Sequence, residues 1–138
     1  MPAGSGPQVA VATAVAISNA EVALVVTPPQ SWNENTGLLI TFTVYFTDTN
    51  AGSLTLKVRQ GNGVAGPVVG PAAGFVVSGI AALATLVIGA QAADTSAFGL
   101  ITPPGQPQQY TLTGQGSVAS IGTGTYCLVA LESIAPLI

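Results

Sequence analysis

The stretch TFTVYFTDTNAGSLTLKVRQGNG, Thr41 to Gly63, decides how the rest of the chain is read. Phe42, Val44 and Phe46 alternate with Thr41, Thr43, Tyr45 and Thr47. A strand turns successive side chains to opposite faces, so this period of two marks a strand with one buried face. Ser53 to Gln60 repeats the pattern, with Leu54, Leu56 and Val58 set against Ser53, Thr55, Lys57 and Arg59. The short connection between the two runs predicts an antiparallel hairpin in which Phe46 faces Leu54, Val44 faces Leu56 and Phe42 faces Val58. Gly61-Asn62-Gly63 reads as a tight turn, because glycine and asparagine accept positive φ. No helix pattern or Lys-Ser/Thr pair follows it, so it is not a phosphate loop.

Outward from this hairpin, proline and glycine recur about every ten residues, the spacing of strands in an all-β sandwich or barrel. The runs between them give about eight strands: Val9–Ile17, Glu21–Thr27, Leu38–Thr47, Ser53–Gln60, Val64–Val69, a pair or one bent strand within Phe75–Ala92, Gln108–Gly114 and Thr125–Ser133. Thr27-Pro28-Pro29 and Thr102-Pro103-Pro104 end strands, since proline donates nothing to a ladder. A rival reading attaches to Phe75–Ala93, an uncharged run with the length of a membrane-spanning helix. Ser78, Gly79, Gly89 and Gln91, the excess of alanine over leucine and the lack of flanking cations argue for strands instead. In TYCLVALESI, Tyr126, Leu128 and Ala130 alternate with Cys127, Val129 and Leu131, so this strand is expected to be buried on both faces, with Cys127 as a small core hydrophobe.

Composition narrows the chemistry. The 138 residues fit one domain, 1–138, large enough for a core without disulfides or metal. Charged residues are 5% of the chain, against about 25% in an ordinary soluble domain. With two cations and a net charge of −3, no clustered basic surface for nucleic acid is expected. Without histidine there is no Ser-His or Cys-His triad, and with one cysteine the usual zinc and copper ligand sets are missing. The five acids are scattered singly, which makes a carboxylate pair a poor expectation. A calcium loop at Asp48-Thr49-Asn50 would have one carboxylate, and a simple turn is the better reading. No enzyme activity, cofactor or metal is expected. The first residues lack Lys or Arg before their apolar stretch, a poor signal peptide, so synthesis in the cytoplasm is expected.

Four residues stand out as contact candidates. Lys57 and Arg59 lie two apart on the outward face of one strand, where they solubilise the face or, together with Tyr45, pack on another subunit. Trp32, in the loop QSWNENTG, is a loop anchor or an exposed contact for a sugar or protein.

The stretches ITFTVYF, LTLKVRQGNG, QYTLTGQG and YCLVALES, with Pro- and Gly-bounded loops and a neutral Thr/Gly/Ala-rich surface, resemble jelly-roll virion proteins. The likeness is to tumour-necrosis-factor-like trimeric domains of phage spikes, head fibres and capsid-decorating proteins. It implies an antiparallel two-sheet sandwich, a jelly roll of about eight strands, with residues 1–18 as an N-terminal arm or exchanged strand. It further implies a non-enzymatic structural subunit in a virion, a homotrimer partnered with itself and a major capsid protein, not with nucleic acid or membrane. Scarce charge suits such burial, because each desolvated ion costs several kcal/mol unless paired. Two other readings stand beside it: an extracellular filament or adhesion subunit in which Val9–Ile17 is donated to the next copy, and a small carbohydrate-binding sandwich.

Overall fold

The computed structural model describes residues 8–28, 37–94 and 109–134. Among them the secondary structure is all β: β1 (Gln8–Ile17), β2 (Val22–Val26), β3 (Gly37–Phe46), β4 (Gly52–Gln60), β5 (Val68–Val69), β6 (Phe75–Ile80), β7 (Leu86–Asp94), β8 (Tyr110–Gly116) and β9 (Gly122–Ile134). Sheet A has four strands in the order β1-β9-β3-β7, and sheet B has five, with β2-β8-β4 followed by β5 and β6, which both pair with β4. All pairings are antiparallel.

The pairings are nested: β1 with β9, β2 with β8, β3 with β7, β4 with β6. The chain is therefore one long hairpin folded near residues 61–74 and rolled up, and β3·β9 and β4·β8 close the roll. This is a jelly roll, which leaves two sheets stacked on a shared core. Sheet A buries Ile40, Phe42, Val44, Phe46, Tyr126 and Leu128, and sheet B opposes them with Leu54, Leu56, Val58, Tyr110 and Leu112. The Phe42 and Phe75 rings meet edge to face across the sheets with centroids 5.3 Å apart.

The expected hairpin between β3 and β4 does not form. Its parity is right, since Ile40, Phe42, Val44 and Phe46 and likewise Leu54, Leu56 and Val58 turn inward, but the two strands belong to opposite sheets and face one another through the core. Alternation states which side of a strand is buried and is silent on its neighbour. The connection crosses between sheets because it is pinned elsewhere. The buried Thr49 donates its hydroxyl to the Ala81 carbonyl (2.7 Å) and accepts from the Ala84 N–H (3.2 Å). Asn50 donates its backbone N–H to Ile121 (2.8 Å) and its side-chain amide to Ser120 (2.9 Å). The Asp48-Thr49-Asn50 segment thus spends Thr49 and Asn50 on holding this crossing.

Phe75–Ala93 folds as β6 and most of β7, joined by a turn, and among the described residues no helix is long and apolar enough to cross a membrane. Val64–Val69 shortens to Val68–Val69, because Gln60 donates its N–H to Pro67 (3.0 Å) and the residues between make the return turn. The Gly61-Asn62-Gly63 turn forms, with Gly61 at φ 89° and Gly63 at φ 116°. It is tied to the start of β8 through the Thr111 hydroxyl, which donates to the Gly61 carbonyl (2.6 Å) and accepts from the Gly63 N–H (3.1 Å). The last strand lies centrally between β1 and β3, as a two-faced strand should, but only the Tyr126, Leu128 and Ala130 side is fully buried. Cys127 sits on the other side, half-buried, and is not a core residue. Within this chain the N-terminal strand β1 completes its own sheet by pairing with β9.

Candidate self-association surface

The two outer faces of the sandwich differ in chemistry. On sheet A the register sets side chains in rows: Val9, Val129, Thr41 and Gln91; then Val11, Cys127, Thr43 and Gly89; then Thr125, Tyr45 and Val87. No charged side chain stands in these rows. Val9, Val11, Tyr45 and Val87 are all exposed, Val11 and Val87 by 62% and 63%. In the first half of β1 the valines point out and the alanines point in: Val9 and Val11 are exposed, while Ala10 and Ala12 pack against the core; past the register shift this reverses, with Val15 and Ile17 turned inward and Ala16 exposed. Burial normally favours the opposite arrangement, so this half of the strand leaves apolar surface in the open.

Sheet B carries both cations of the chain. Lys57 and Arg59 occupy the outer side of β4, opposite Thr113 and Thr111 of β8. Arg59 is committed within the chain: Nε donates to Glu21 Oε2 at 2.6 Å, Nη2 donates to Glu21 Oε1 at 2.8 Å, and Nη1 donates to the Gly66 carbonyl at 2.7 Å. The Thr113 hydroxyl adds a bond to Glu21 Oε2 at 2.6 Å. Hydrogen bonds from Arg59 chiefly, and also from Thr113, hold the Glu21 carboxyl below its ordinary value against the opposing effect of desolvation, and the same pair raises Arg59. The arrangement ties the lead-in to β2, β4, β8 and the turn before β5 together.

The candidate contacts are therefore split. Lys57 and Arg59 share a face as their spacing demands, but Tyr45, 43% exposed, lies on sheet A at the opposite side of the molecule. The expected common face of Tyr45, Lys57 and Arg59 depended on the β3–β4 hairpin and falls with it. Trp32 lies outside the described residues. The exposed valines of β1 and β7 were missed by sequence reading, although the alternation of valine with alanine in QVAVATAV is a signal of side-chain size that parity alone ignores.

No family model matches the chain, and no curated protein matches it. Among solved structures it is similar to a protein in the structure of infectious bursal disease virus, Gx strain, with a TM-score of 0.50, 16% identity, and coverage of 91% of this chain and 32% of that one. It also matches a subunit described under the words "Bacillus endospore appendages form a novel family of disulfide-linked pili", with a TM-score of 0.44, 15% identity, and coverage of 96% and 94%. A third match is murine APRIL, with a TM-score of 0.37 and 14% identity over 91% of this chain and all of that one. The chain spans about a third of the length of the viral protein, and the likeness is one of fold.

Proposed function

We propose that this chain is a non-enzymatic structural subunit of a virion, a capsid-decorating, spike or minor capsid protein that works by self-association and by docking on a shell. The observation that carries the reading is the outer face of sheet A, without charge in the rows from Val9 to Val87 and bearing Val9, Val11, Tyr45 and Val87 in the open. An exposed apolar patch on a small domain is a contact surface more often than an accident. A face without ions is buried without the desolvation cost of a charge, provided its hydroxyls and amide find partners. The viral match in fold is consistent with this use.

The test is the mass of the purified protein by light scattering, with and without Val11→Lys combined with Val87→Lys. Both positions are exposed, so the doubly substituted chain should keep its circular dichroism spectrum. The expected outcome is a closed oligomer, three copies, for the unaltered chain and single chains for the variant. A monodisperse single chain at high concentration without substitution would count against the reading.

A further inference from the structure

Sheets end in strands with one unsatisfied row of backbone groups, and proteins blunt such edges with bulges, prolines, lysines or short strands. Three of the edges here are blunted. Strand β1 is broken by a register shift between Ala12 and Val15. Strand β2 is 5 residues long and shifts between Ala23 and Val25. The far side of β4 is shared by the 2-residue β5 and by β6, which shifts between Gly52 and Leu54. Strand β7 has none of these devices. Its 9 residues, LVIGAQAAD, pair with β3 without a break from Leu86↔Phe46 to Asp94↔Leu38, and among the described residues they pair with no other strand. It contains no proline and no cation, and its one charge is the terminal Asp94.

The core is also incompletely closed there. The inward residues of β3 are buried to 0–1% of their surface, whereas Leu86, Ile88 and Ala90 on the same side of β7 pack against the core yet remain half-buried. An added strand would satisfy the backbone row and cover this apolar rim.

We propose that the edge of β7, unpaired among the described residues, pairs with β7 of a second copy, antiparallel about a two-fold axis. This rests on the self-association reading and adds the edge through which copies join. An antiparallel strand meeting itself keeps inward residues opposite inward residues only when it is centred on a residue, and centring on Ala90 overlaps the whole strand. Ile88 then meets Ala92, Gly89 meets Gln91, and Asp94 meets Leu86, so no two charges stand opposite and the apolar rims of both copies become continuous. The edge uses backbone groups and the outer face of sheet A uses side chains, so the two contacts draw on different groups, and edge pairing would join the face-built oligomers only at concentrations above those at which they form.

Amide hydrogen exchange of the full chain at low and high concentration, with cross-linking, tests this. Concentration should slow exchange in residues 86–94 by about tenfold or more, as new ladder bonds form. In a Cys127→Ser background, a mixture of Gly89→Cys and Gln91→Cys chains should form at least about tenfold more disulfide-linked dimer than either alone, since directly opposite positions are within disulfide reach and diagonal ones are not. A side chain at Gly89 fits, because a Cβ there meets only the Phe42 carbonyl oxygen at 3.8 Å. An oligomer without protection of 86–94 overturns the edge pairing and leaves the self-association reading standing. Protection of 22–26 together with 86–94, without the mixed cross-link, means that β7 pairs head to tail with β2 and also overturns it. The absence of any oligomer overturns both.

Discussion

Tyr126 is a fully buried phenol, and burial of a hydroxyl is tolerated only when it finds a partner. Its partner is the Val15 carbonyl, to which the hydroxyl donates at 2.7 Å. Val15 ends the register shift in β1, so this one bond holds the backbone where the ladder to β9 is interrupted. The ring also packs edge to face on Phe46 at 5.9 Å. Burial pushes the phenol up from 10.0 to about 12. A raised phenol leaves stability intact below its unfolded value near 10, and stability falls as pH climbs from there towards 12, because the unfolded chain gives up its proton first. Difference spectra of the folded protein should therefore lose ionisation amplitude near pH 12 when Tyr126→Phe is introduced. That substitution should also cost about 1–2 kcal/mol in urea unfolding, from the bond lost at the register shift.

At the scale of elements, the connection between β3 and β4 decides the topology, and its supports are non-local. Leu83 donates its N–H to the Thr49 carbonyl at 2.6 Å while holding φ at 56°, the only non-glycine residue with positive φ among those described. A leucine there costs about 1–2 kcal/mol relative to its usual conformations. Its side chain is 80% exposed and contributes little packing in return. Leu83→Gly should keep the backbone bond, relieve the strain and raise stability by up to about 1 kcal/mol, read as an upward shift of the thermal midpoint. A lower midpoint would show that the leucine side chain supports the turn. The same connection explains what was legible in the sequence. Strand positions and inward parity follow from period two, a local property, and they were correct for β3, β4 and the Tyr126 side of β9. Which strand lies beside which depends on Thr49 meeting Ala81 and Ala84, and Asn50 meeting Ser120, contacts that no local pattern encodes. The candidate surface suffered in the same way: the shared face of Lys57 and Arg59 was readable, but the Glu21 partner of Arg59, 38 residues away, and the opposite placement of Tyr45 were not.

At the scale of the whole molecule, the cations are segregated: both lie on sheet B, with Arg59 neutralised by Glu21, while the outer-face rows of sheet A from Val9 to Val87 are uncharged and the acids of its strands, Asp94 and Glu132, fall together in the terminal row of Leu38. The proposed association through sheet A would then be driven by removing apolar surface from water and by backbone pairing at its edge, more than by charge. The two driving forces answer differently to conditions. Salt shortens the Debye length from roughly 14 Å at 0.05 M to about 4 Å at 0.5 M and weakens contacts between exposed ions, while apolar contacts are indifferent to this screening and are strengthened by sulfate. Hydrophobic burial also weakens on cooling. Sedimentation equilibrium should accordingly give an association constant that changes less than about twofold between those sodium chloride concentrations, rises in sodium sulfate, and falls from 25 °C to 5 °C with the negative heat-capacity change of apolar burial. A steep loss of association with sodium chloride would place the contact on sheet B, at Lys57 and the Glu21–Arg59 pair, and the exposed valines of sheet A would then have to be explained without a partner.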